Sequence, residues 1–539
     1  MMRTSILALC AIMSCSWYVW NWDLAFNSDF AMIGLVGRHI LQTGEQFIYV
    51  PKVNYQGLLV EGNLSALLFL FLGESPRVLH LCAAIIFCLF LISYHFAVKA
   101  WFSQRIAFLS TLLMCFSSPL FFGSVLRTQP NYGETFALGC FLFWSLKKYL
   151  ETRKYLFFYL ASFATGFGLY LYSQIIFFIG AIFLSVVGSG PSLHKIWKWL
   201  LFPALFLLYP FDQIHSWKIP GATICFSLVG LVGGFSAWNE RNKLKKLFSN
   251  RLGTMCLGLA FFLLGYSPNL YFRAVSKEQV VSHIRLIQSS EDFWERVVLF
   301  FKGFDEFMIS GGPRILSLLL CWGLVIVFVF FSQDNRKNSK AASNPFWILG
   351  FLVPLGFCLS RDSTDFFALR YSLSWQLVLS LTVAVLIERV LKIQKSLGLA
   401  LAILFISFRI STHMFLGANF QKREWLAEIR PWTALKPVAE YLEQKGLSWG
   451  YGDYWAAYLM NFCTGGRQNI EPLYSNYLPF YEEEVKRKGR LALIMFTNRI
   501  LPESEFSQDA SRVKIRGIVY QVEEEKAFEK WKVWIIRTI

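Results

Sequence analysis

The chain has 539 residues, of which 55% are hydrophobic and only 16% charged. A soluble domain seldom reaches that hydrophobicity, and repeated apolar runs indicate a polytopic membrane protein. The net charge of +17 does not indicate nucleic-acid binding, because much of the Lys and Arg lies in short clusters between apolar runs, where positive charge fixes membrane topology.

Apolar runs predict about thirteen membrane spans, several of them shorter than an untilted span. We interpret the first run as an uncleaved span rather than a signal peptide, because it continues through Trp17–Trp20 without a small-residue cleavage site. The predicted spans are 4–22, 78–98, 106–122, 134–147, 156–172, 174–188, 199–211, 222–238, 252–271, 314–332, 345–360, 371–388 and 396–412.

The basic clusters alternate along the chain and support this topology. With the N-terminus inside, the inside connections carry the clusters 99–105, 147–154, 195–198, 241–251, 336–340 and 389–395. The short outside connections are far poorer in Lys and Arg. The pattern therefore places loop 23–77, the turn around 127–134 and everything after about residue 413 on the outer side. We predict a membrane module over 1–412 and a soluble outer domain over 413–539.

The first outer loop has the pattern of two helices that lie in the membrane interface. Phe30, Ile33, Ile40 and Leu41 form one apolar side at helical spacing, and Gly44 follows as a C-cap. The apolar segment 63–72 is too short to span and is predicted to lie in the interface plane. A further outer segment, 273–313, is long enough to contain helices of its own.

The C-terminal region differs in composition and predicts a small α/β domain. Segment 432–445 has the pattern of an amphipathic helix. The predicted strands are 448–451, 491–496, 517–522 and 533–536. The predicted fold class is therefore mainly α, a polytopic helical bundle with interfacial helices in the first outer loop and a C-terminal α/β domain.

Asp29 is the strongest candidate for catalysis. It lies in Asn27-Ser28-Asp29-Phe30, just after the first span, and an acidic residue so close to hydrocarbon usually has a function. A carboxylate there can activate a hydroxyl as a general base. The alternative is structural, since Asn, Ser and Asp before an apolar helix also act as N-caps.

Three further motifs lie on the predicted outer face, and each has a structural alternative. Residues 54–57 with Glu61 offer hydrogen bonds suited to a sugar, or form an interfacial turn. Residues 127–134 bring Arg127 and Glu134 together, for phosphate binding or as a salt-bridged loop. Arg361 and Arg370 precede a span, where a boundary arginine either binds an anion or snorkels.

The motifs that the chain lacks restrict the chemistry. It has no Walker A loop, HExxH, CxxC pair or GxGxxG fingerprint, so ATP or a nicotinamide is not indicated. An enzyme at the outer face then needs a substrate that carries its own leaving group, and a lipid-phosphate-linked sugar meets that requirement.

Taken together, these motifs resemble the GT-C superfamily of membrane glycosyltransferases, which includes protein O-mannosyltransferases and lipid A aminoarabinose transferases. The likeness is greatest to poorly characterised bacterial members with an acidic pair followed by Gly-Leu-x-x-Arg-His-Ile-Leu, here Gly34–Leu41. It continues through 55–61, 131–134 and Tyr451-Gly452-Asp453-Tyr454-Trp455. The family often has Asp-Glu where this chain has Asp29-Phe30, which leaves Asp29 as the main base and leaves open a divalent metal.

The resemblance implies transfer of a sugar from a polyprenyl-phosphate donor to a glycolipid, surface glycan or protein, with inversion and with Asp29 as the base. It implies a multi-pass protein of the bacterial inner membrane, in contact with membrane lipids, whose C-terminal domain lies on the periplasmic or extracellular side. No nucleic-acid partner is implied. The residues that it makes candidates for substrate binding are Arg38, His39, Tyr55, Gln56, Glu61, Arg127, Tyr132, Glu134, Arg361 and Arg370.

Two other functions compete with this hypothesis. A transporter or flippase for a lipid-linked saccharide predicts polar residues near mid-membrane and repeats between the two halves, and the sequence shows neither. An assembly or polymerase component without transfer activity is the third reading. Convergence of Asp29, Glu61, Glu134 and Arg127 on one outward cavity favours the transferase.

Overall fold

The computed structural model describes residues 2–24, 26–50, 57–126, 131–187, 241–275, 289–302, 344–360, 366–414, 432–473, 478, 481–496, 511–528 and 530–539. The predicted spans 199–211, 222–238 and 314–332 lie outside the described residues. So do the predicted site residues Tyr55, Gln56, Arg127 and Arg361.

The described part of the membrane module is helical. Its 3₁₀ turns are Trp22–Leu24 and Phe366–Ser372. Its helices are α1 (Met2–Trp20), α2 (Ser28–Thr43), α3 (Leu59–Leu72), α4 (Pro76–Trp101), α5 (Gln104–Cys115), α6 (Pro119–Val125), α7 (Tyr132–Thr152), α8 (Tyr155–Leu171), α9 (Ile175–Val187), α10 (Arg241–Val275), α11 (Ser290–Lys302), α12 (Pro345–Leu359), α13 (Trp375–Ile393) and α14 (Lys395–Met414).

Two described helices are long and apolar enough to cross a membrane, namely α4 and residues 253–275 of α10. Shorter apolar helices include α3, α5, α8, α9 and α12. The total of about thirteen spans therefore stays a prediction. One predicted span, 106–122, is two helices, because Ser118 caps a new helix whose first residue is Pro119.

The basic turns meet at one end of the bundle. Lys147 near the end of α7 lies over the ring of Trp101 at the end of α4, with 5.0 Å from Nζ to the ring centre. Arg105 of α5 lies 3.9 Å from the carboxylate of Glu388 near the end of α13. These contacts bring together three of the turns that charge alternation places on the inside.

The exposed sides of helices α3 and α4 are apolar. Leu89, Ile92 and Phe96 on α4 are each more than half exposed, and so are Leu67 and Leu70 on α3. Large exposed apolar side chains grouped on neighbouring helices fit a lipid environment.

The two helices of the first outer loop pack against each other through glycine. A Cβ at Gly37 of α2 would lie 2.4 Å from Ser65 Oγ and 3.1 Å from the backbone N of Ala66 on α3, so glycine favours this close approach. The predicted C-cap is confirmed, since Gly44 has φ 75° and its N–H donates to the carbonyl of Ile40. Helix α3 starts at Leu59, four residues before the predicted segment. Leu41, on the predicted apolar side, is exposed.

The C-terminal region contains a mixed sheet of order β2-β1-β3-β6-β5-β4. Strand β1 pairs in parallel with β2 and β3, and the other pairs are antiparallel. The elements are α15 (Trp432–Gln444), β1 (Trp449–Gly452), α16 (Tyr454–Cys463), β2 (Asn469–Pro472), α17 (Glu482–Lys486), β3 (Arg490–Phe496), β4 (Arg512–Ile515), β5 (Ile518–Ala527) and β6 (Trp531–Thr538).

The predicted helix and strands of this region are confirmed, whereas α16, α17, β2 and β4 were not predicted. One face of the sheet, with Ile494, Val533 and Ile535, shares the main core with α15, α16 and the membrane helices. Helix α16 lies against α2, where a Cβ at Gly34 would meet the ring of Phe462 at 2.3 Å. The C-terminal sheet region thus packs on helix α2 through α16.

We expect a side chain at Gly166 to separate α8 from α10. A Cβ there would lie 2.2 Å from the carbonyl oxygen of Phe262, and backbone cannot rotate away as a side chain can. Gly166→Leu should lower the free energy of unfolding by about 1–3 kcal/mol, the usual cost of overpacking. Thermal unfolding of the detergent-purified protein measures this.

The matched control is Gly253→Leu on α10, because a Cβ at Gly253 meets nothing within 4 Å. Equal melting temperatures for the two variants would contradict the close approach of the helices.

Candidate active site

The N-cap of helix α2 is Asn27 and not the acidic residue Asp29. The side chain of Asn27 accepts a hydrogen bond of 3.1 Å from the backbone N–H of Phe30, so Asn27 is the N-cap. Asp29 is half-buried in the first turn of the helix. Its carboxylate accepts a hydrogen bond from the hydroxyl of Tyr454 in the C-terminal domain. The capping alternative for Asp29 is therefore wrong, and its carboxylate faces the contact between the two domains.

Glu61 and Glu134 come together although they are far apart in sequence. Each lies in the first turn of its helix, α3 and α7 respectively. The Nδ2 group of Asn131 donates a 2.8 Å hydrogen bond to the carbonyl of Gly57, which ties the first outer loop to the turn before α7. Asn131 adopts the left-handed conformation (φ 62°), which asparagine tolerates better than most residues.

The two carboxyl groups form a buried pair. Glu61 is 1% exposed and Glu134 7% exposed, and their carboxyl groups lie close enough to interact electrostatically. Glu61 Oε2 and Glu134 Oε1 are buried and have no hydrogen-bond partner among the described residues. Burial, and then the neighbouring Glu134 carboxyl, raise the pKa of Glu61 well above its ordinary value of 4.5. The pair therefore retains a proton where an isolated carboxyl would lose it, and it can both donate to and accept from a sugar hydroxyl.

Arg370 lies among tyrosines, one of which begins helix α7. Its Nη2 group is 3.1 Å from the hydroxyl of Tyr371, and Tyr132 and Tyr172 lie within electrostatic reach. The rings of Tyr132 and Tyr172 are 5.5 Å apart, edge to face. Tyr132 begins α7, two residues before Glu134. A guanidinium and three phenols together offer donors that suit phosphate oxygens.

The starts of α2, α3 and α7 all contact helix α4. The ring of Phe30, next to Asp29, lies 4.3 Å from the ring of His80. The Sγ atom of Cys82 is 4.0 Å from the carbonyl of Glu61, and Ile86 lies directly against Gly133. The helix starts that bear Asp29, Glu61 and Glu134 thus all contact the N-terminal half of α4. This end is opposite the basic turns, because Trp101 is at the other end of the same helix.

In the structure, Arg38 and His39 contact other groups of the protein. Arg38 forms an ion pair with Glu74 and donates 3.3 Å hydrogen bonds to the carbonyls of Asn461 and Phe462 at the end of α16. His39 is 2.9 Å from the carboxylate of Glu45. Their substrate-binding roles stay predictions.

Several residues of the site were missed by sequence reasoning. Tyr454 stands in the quoted motif 451–455, but nothing in the sequence linked it to Asp29. Tyr170, whose hydroxyl donates to the carbonyl of Ile48 at 2.5 Å, and Tyr172 read only as part of an apolar run. In the described part of the chain, no three His, Cys, Asp or Glu side chains form a group that could hold a metal ion.

We predict that Glu61→Gln stabilises the protein at neutral pH. Because folding raises the pKa of Glu61, unfolding releases a proton and the native state becomes less stable as the pH rises above about 4.5. A glutamine does not titrate, so the difference in melting temperature between variant and wild type should grow from pH 4.5 to pH 8.

The control is Glu440→Gln, which changes an exposed carboxylate of α15. It should shift the melting temperature little at any pH. A Glu61→Gln variant whose advantage stays constant across this range would contradict the buried, protonated pair.

Comparisons with known proteins concern the family and the fold. Residues 62–213 match the family described as dolichyl-phosphate-mannose-protein mannosyltransferase. No individually curated protein is similar enough in sequence to match. The fold is similar to ArnT from Cupriavidus metallidurans in the apo state, with a TM-score of 0.52 and 10% identity over 99% of this chain and 98% of that chain.

Two further solved structures share the fold. ArnT from the same organism bound to undecaprenyl phosphate has a TM-score of 0.51 and 10% identity over 99% of this chain and 97% of that chain. The Archaeoglobus fulgidus oligosaccharyltransferase in complex with Zn and sulfate has a TM-score of 0.50 and 11% identity, over 91% of this chain and 67% of that chain. The family match and the shared fold confirm the resemblance of this chain to the GT-C superfamily of membrane glycosyltransferases.

Proposed function

We propose that the protein transfers a sugar from a polyprenyl-phosphate carrier to an acceptor at the outer face of the bacterial inner membrane. The observation that carries this proposal is the contact of the helix starts that bear Asp29, Glu61 and Glu134 with the N-terminal half of α4. The cluster of Arg370 with its tyrosines adjoins it through Tyr132, two residues before Glu134. Such a set suits a reaction that needs a base, hydrogen bonds to sugar hydroxyls and a cation for phosphate. The fold shared with ArnT, which was solved with undecaprenyl phosphate, supports a lipid-phosphate donor.

Asp29 is the proposed general base. The acceptor hydroxyl gives its proton to the carboxylate as its oxygen forms a bond to the anomeric carbon of the sugar. The bond from that carbon to the phosphate oxygen breaks, and its electron pair leaves with the polyprenyl phosphate. One displacement from the opposite face inverts the anomeric carbon. The phosphate leaves in its ionised form, so a general acid is not required.

Arg370 and the glutamate pair have separate roles in this proposal. Arg370, with Tyr371 and the two nearby tyrosines, stabilises the charge that builds on the departing phosphate. Glu61 and Glu134 hold the sugar through hydroxyl groups, since each has a buried oxygen available for hydrogen bonding in the described part of the chain. The acceptor is a glycolipid, a surface glycan or a protein.

The orientation in the membrane is also part of the proposal. The basic turns at the Trp101 end of α4 face the cytoplasm, in accordance with the positive-inside rule. The opposite end, with the acidic residues and the C-terminal domain, then faces the periplasm. Nucleotide sugars are generally absent there, which favours a lipid-linked donor.

We expect Asp29→Asn to abolish transfer without preventing folding, because the amide keeps the shape of the side chain but cannot take a proton. The test compares envelope glycolipids, glycans and proteins by mass spectrometry in a deletion strain complemented with wild type or variant. Loss of one sugar mass in the deletion strain and its return only with wild type is the expected result.

The matched control is Asp23→Asn in the same outer loop, which keeps an oxygen for the hydroxyl of Thr433 and should restore the product. Restoration by Asp29→Asn would remove Asp29 from the mechanism. An unchanged envelope in the deletion strain would contradict the transferase.

We further expect Arg370→Gln to weaken binding of undecaprenyl phosphate about tenfold or more, since a hydrogen bond to a charged group contributes about 1.5–3 kcal/mol. Binding of the lipid phosphate to the purified protein in nanodiscs measures this. Arg77→Gln is the control, because Arg77 is exposed at the start of α4 and lies over the ring of Trp20. Equal affinities for both variants would exclude Arg370 as the phosphate ligand.

A further inference from the structure

We propose that the C-terminal domain completes the active site by positioning its base through Tyr454. The hydroxyl of Tyr454 donates to Oδ1 of Asp29, so the docked domain holds the carboxylate in one orientation. The inference rests on the proposed function, in which Asp29 is the base. Tyr454 is then a positioning residue, and docking of the domain on α2 controls the activity.

The backbone around Tyr454 is fixed by the sheet. Asp453 is fully buried, and its N–H donates to the carbonyl of Ile494 in β3 at 2.8 Å. The carboxylate of Asp453 accepts from the N–H of Trp455 at 2.9 Å and caps α16. The ring of Tyr454 packs edge to face against Trp455 and Tyr458, with centroids 5.1 and 5.2 Å apart. The phenol therefore reaches Asp29 from a rigid support.

Docking of α16 on α2 does not depend on that hydroxyl. The Oγ of Ser28 donates to the carbonyl of Trp455 at 2.7 Å. Farther along, the ring of Phe462 lies against Gly34, and Arg38 donates to the carbonyls at the end of α16. These contacts hold both ends of α16, so removal of the Tyr454 hydroxyl should leave the domain in place.

The geometry suits positioning rather than proton transfer by the tyrosine itself. A phenol has a single O–H, and Tyr454 donates it to the carboxylate. It occupies one carboxylate oxygen and leaves the other for the acceptor hydroxyl. A base that can rotate freely spends less time in the reactive orientation, and a misplacement of about 1 Å can cost about 100-fold in rate.

Tyr454→Phe tests this in the full-length protein in nanodiscs. The lipid-linked sugar fraction extracted from the deletion strain serves as donor, and the envelope fraction of that strain serves as acceptor. We expect kcat to fall about tenfold or more with an unchanged KM for the lipid fraction, because the hydroxyl acts on the base and not on donor binding. The melting temperature should change little.

Two controls separate positioning from stability. Tyr441→Phe removes a phenol in the same domain, 2.7 Å from the carboxylate of Glu524, and should keep wild-type kcat. Ser28→Ala removes a docking contact beside Asp29 but keeps the hydrogen bond to the Asp29 carboxylate. It should lower the melting temperature and leave kcat close to that of wild type. If Tyr454→Phe instead lowers the melting temperature and leaves kcat unchanged, Tyr454 acts in stability alone and the inference is overturned.

The result for Asp29→Asn distinguishes this inference from the proposed function. If Asp29→Asn is inactive and Tyr454→Phe has wild-type kcat, the positioning role is wrong and the base stands. If Asp29→Asn is active, the base is wrong and the positioning role is overturned with it. Loss of kcat in both variants, at unchanged KM for Tyr454→Phe, supports both.

Discussion

The cost of removing charge from water determines where this chain can place its ionisable groups. With 55% hydrophobic residues, most of its described helices are apolar along their length, and charge gathers at their ends. One end of α4 meets basic turns, and the other meets Glu61 and Glu134. Charge that is buried must be paired or neutralised, and burial beside Glu134 accordingly raises the pKa of Glu61. The separation of basic from acidic side chains therefore follows from the cost of desolvating charge.

The same constraint explains the ties between loops at the acidic end. Backbone groups that leave a helix in an apolar setting need partners. The carbonyl of Gly57 finds Asn131, and the N–H of Gly57 lies 3.3 Å from the carbonyl of Leu171. These bonds bring the first outer loop, the turn before α7 and the end of α8 to one place. The turns before the two glutamates are therefore joined by hydrogen bonds within the protein, which do not depend on a bound substrate.

Local patterns in the sequence predicted the local structure well. Helix α2 and its Gly44 cap, helix α15 and the central strands of the C-terminal sheet all follow from periodicity and turn residues. The break at Pro119 was missed because hydrophobicity continues across it, although a proline after a serine is typical of a helix start. Helix α16 was missed because its ten residues are short and mostly apolar, which suits a strand as well as a helix.

Contacts between distant residues could not be predicted in the same way. The pairing of Glu61 with Glu134 depends on how α3 and α7 pack around α4, and that packing leaves no periodic signal. The cap was assigned to three adjacent residues alike, whereas the geometry selects Asn27 and leaves Asp29 to contact Tyr454. Asp29, Glu61, Glu134 and Arg370 were all candidates from sequence, but their partners were visible only in three dimensions.

Helices α2 and α16 run side by side in the same direction, since Ser28 meets Trp455 and Gly34 meets Phe462. Their N-termini therefore lie together, at Asp29 and Tyr454. Each helix carries a macrodipole equivalent to roughly half a positive elementary charge at that end. Two such ends beside one carboxylate create a positive backbone field, which favours an anion there independently of any basic side chain.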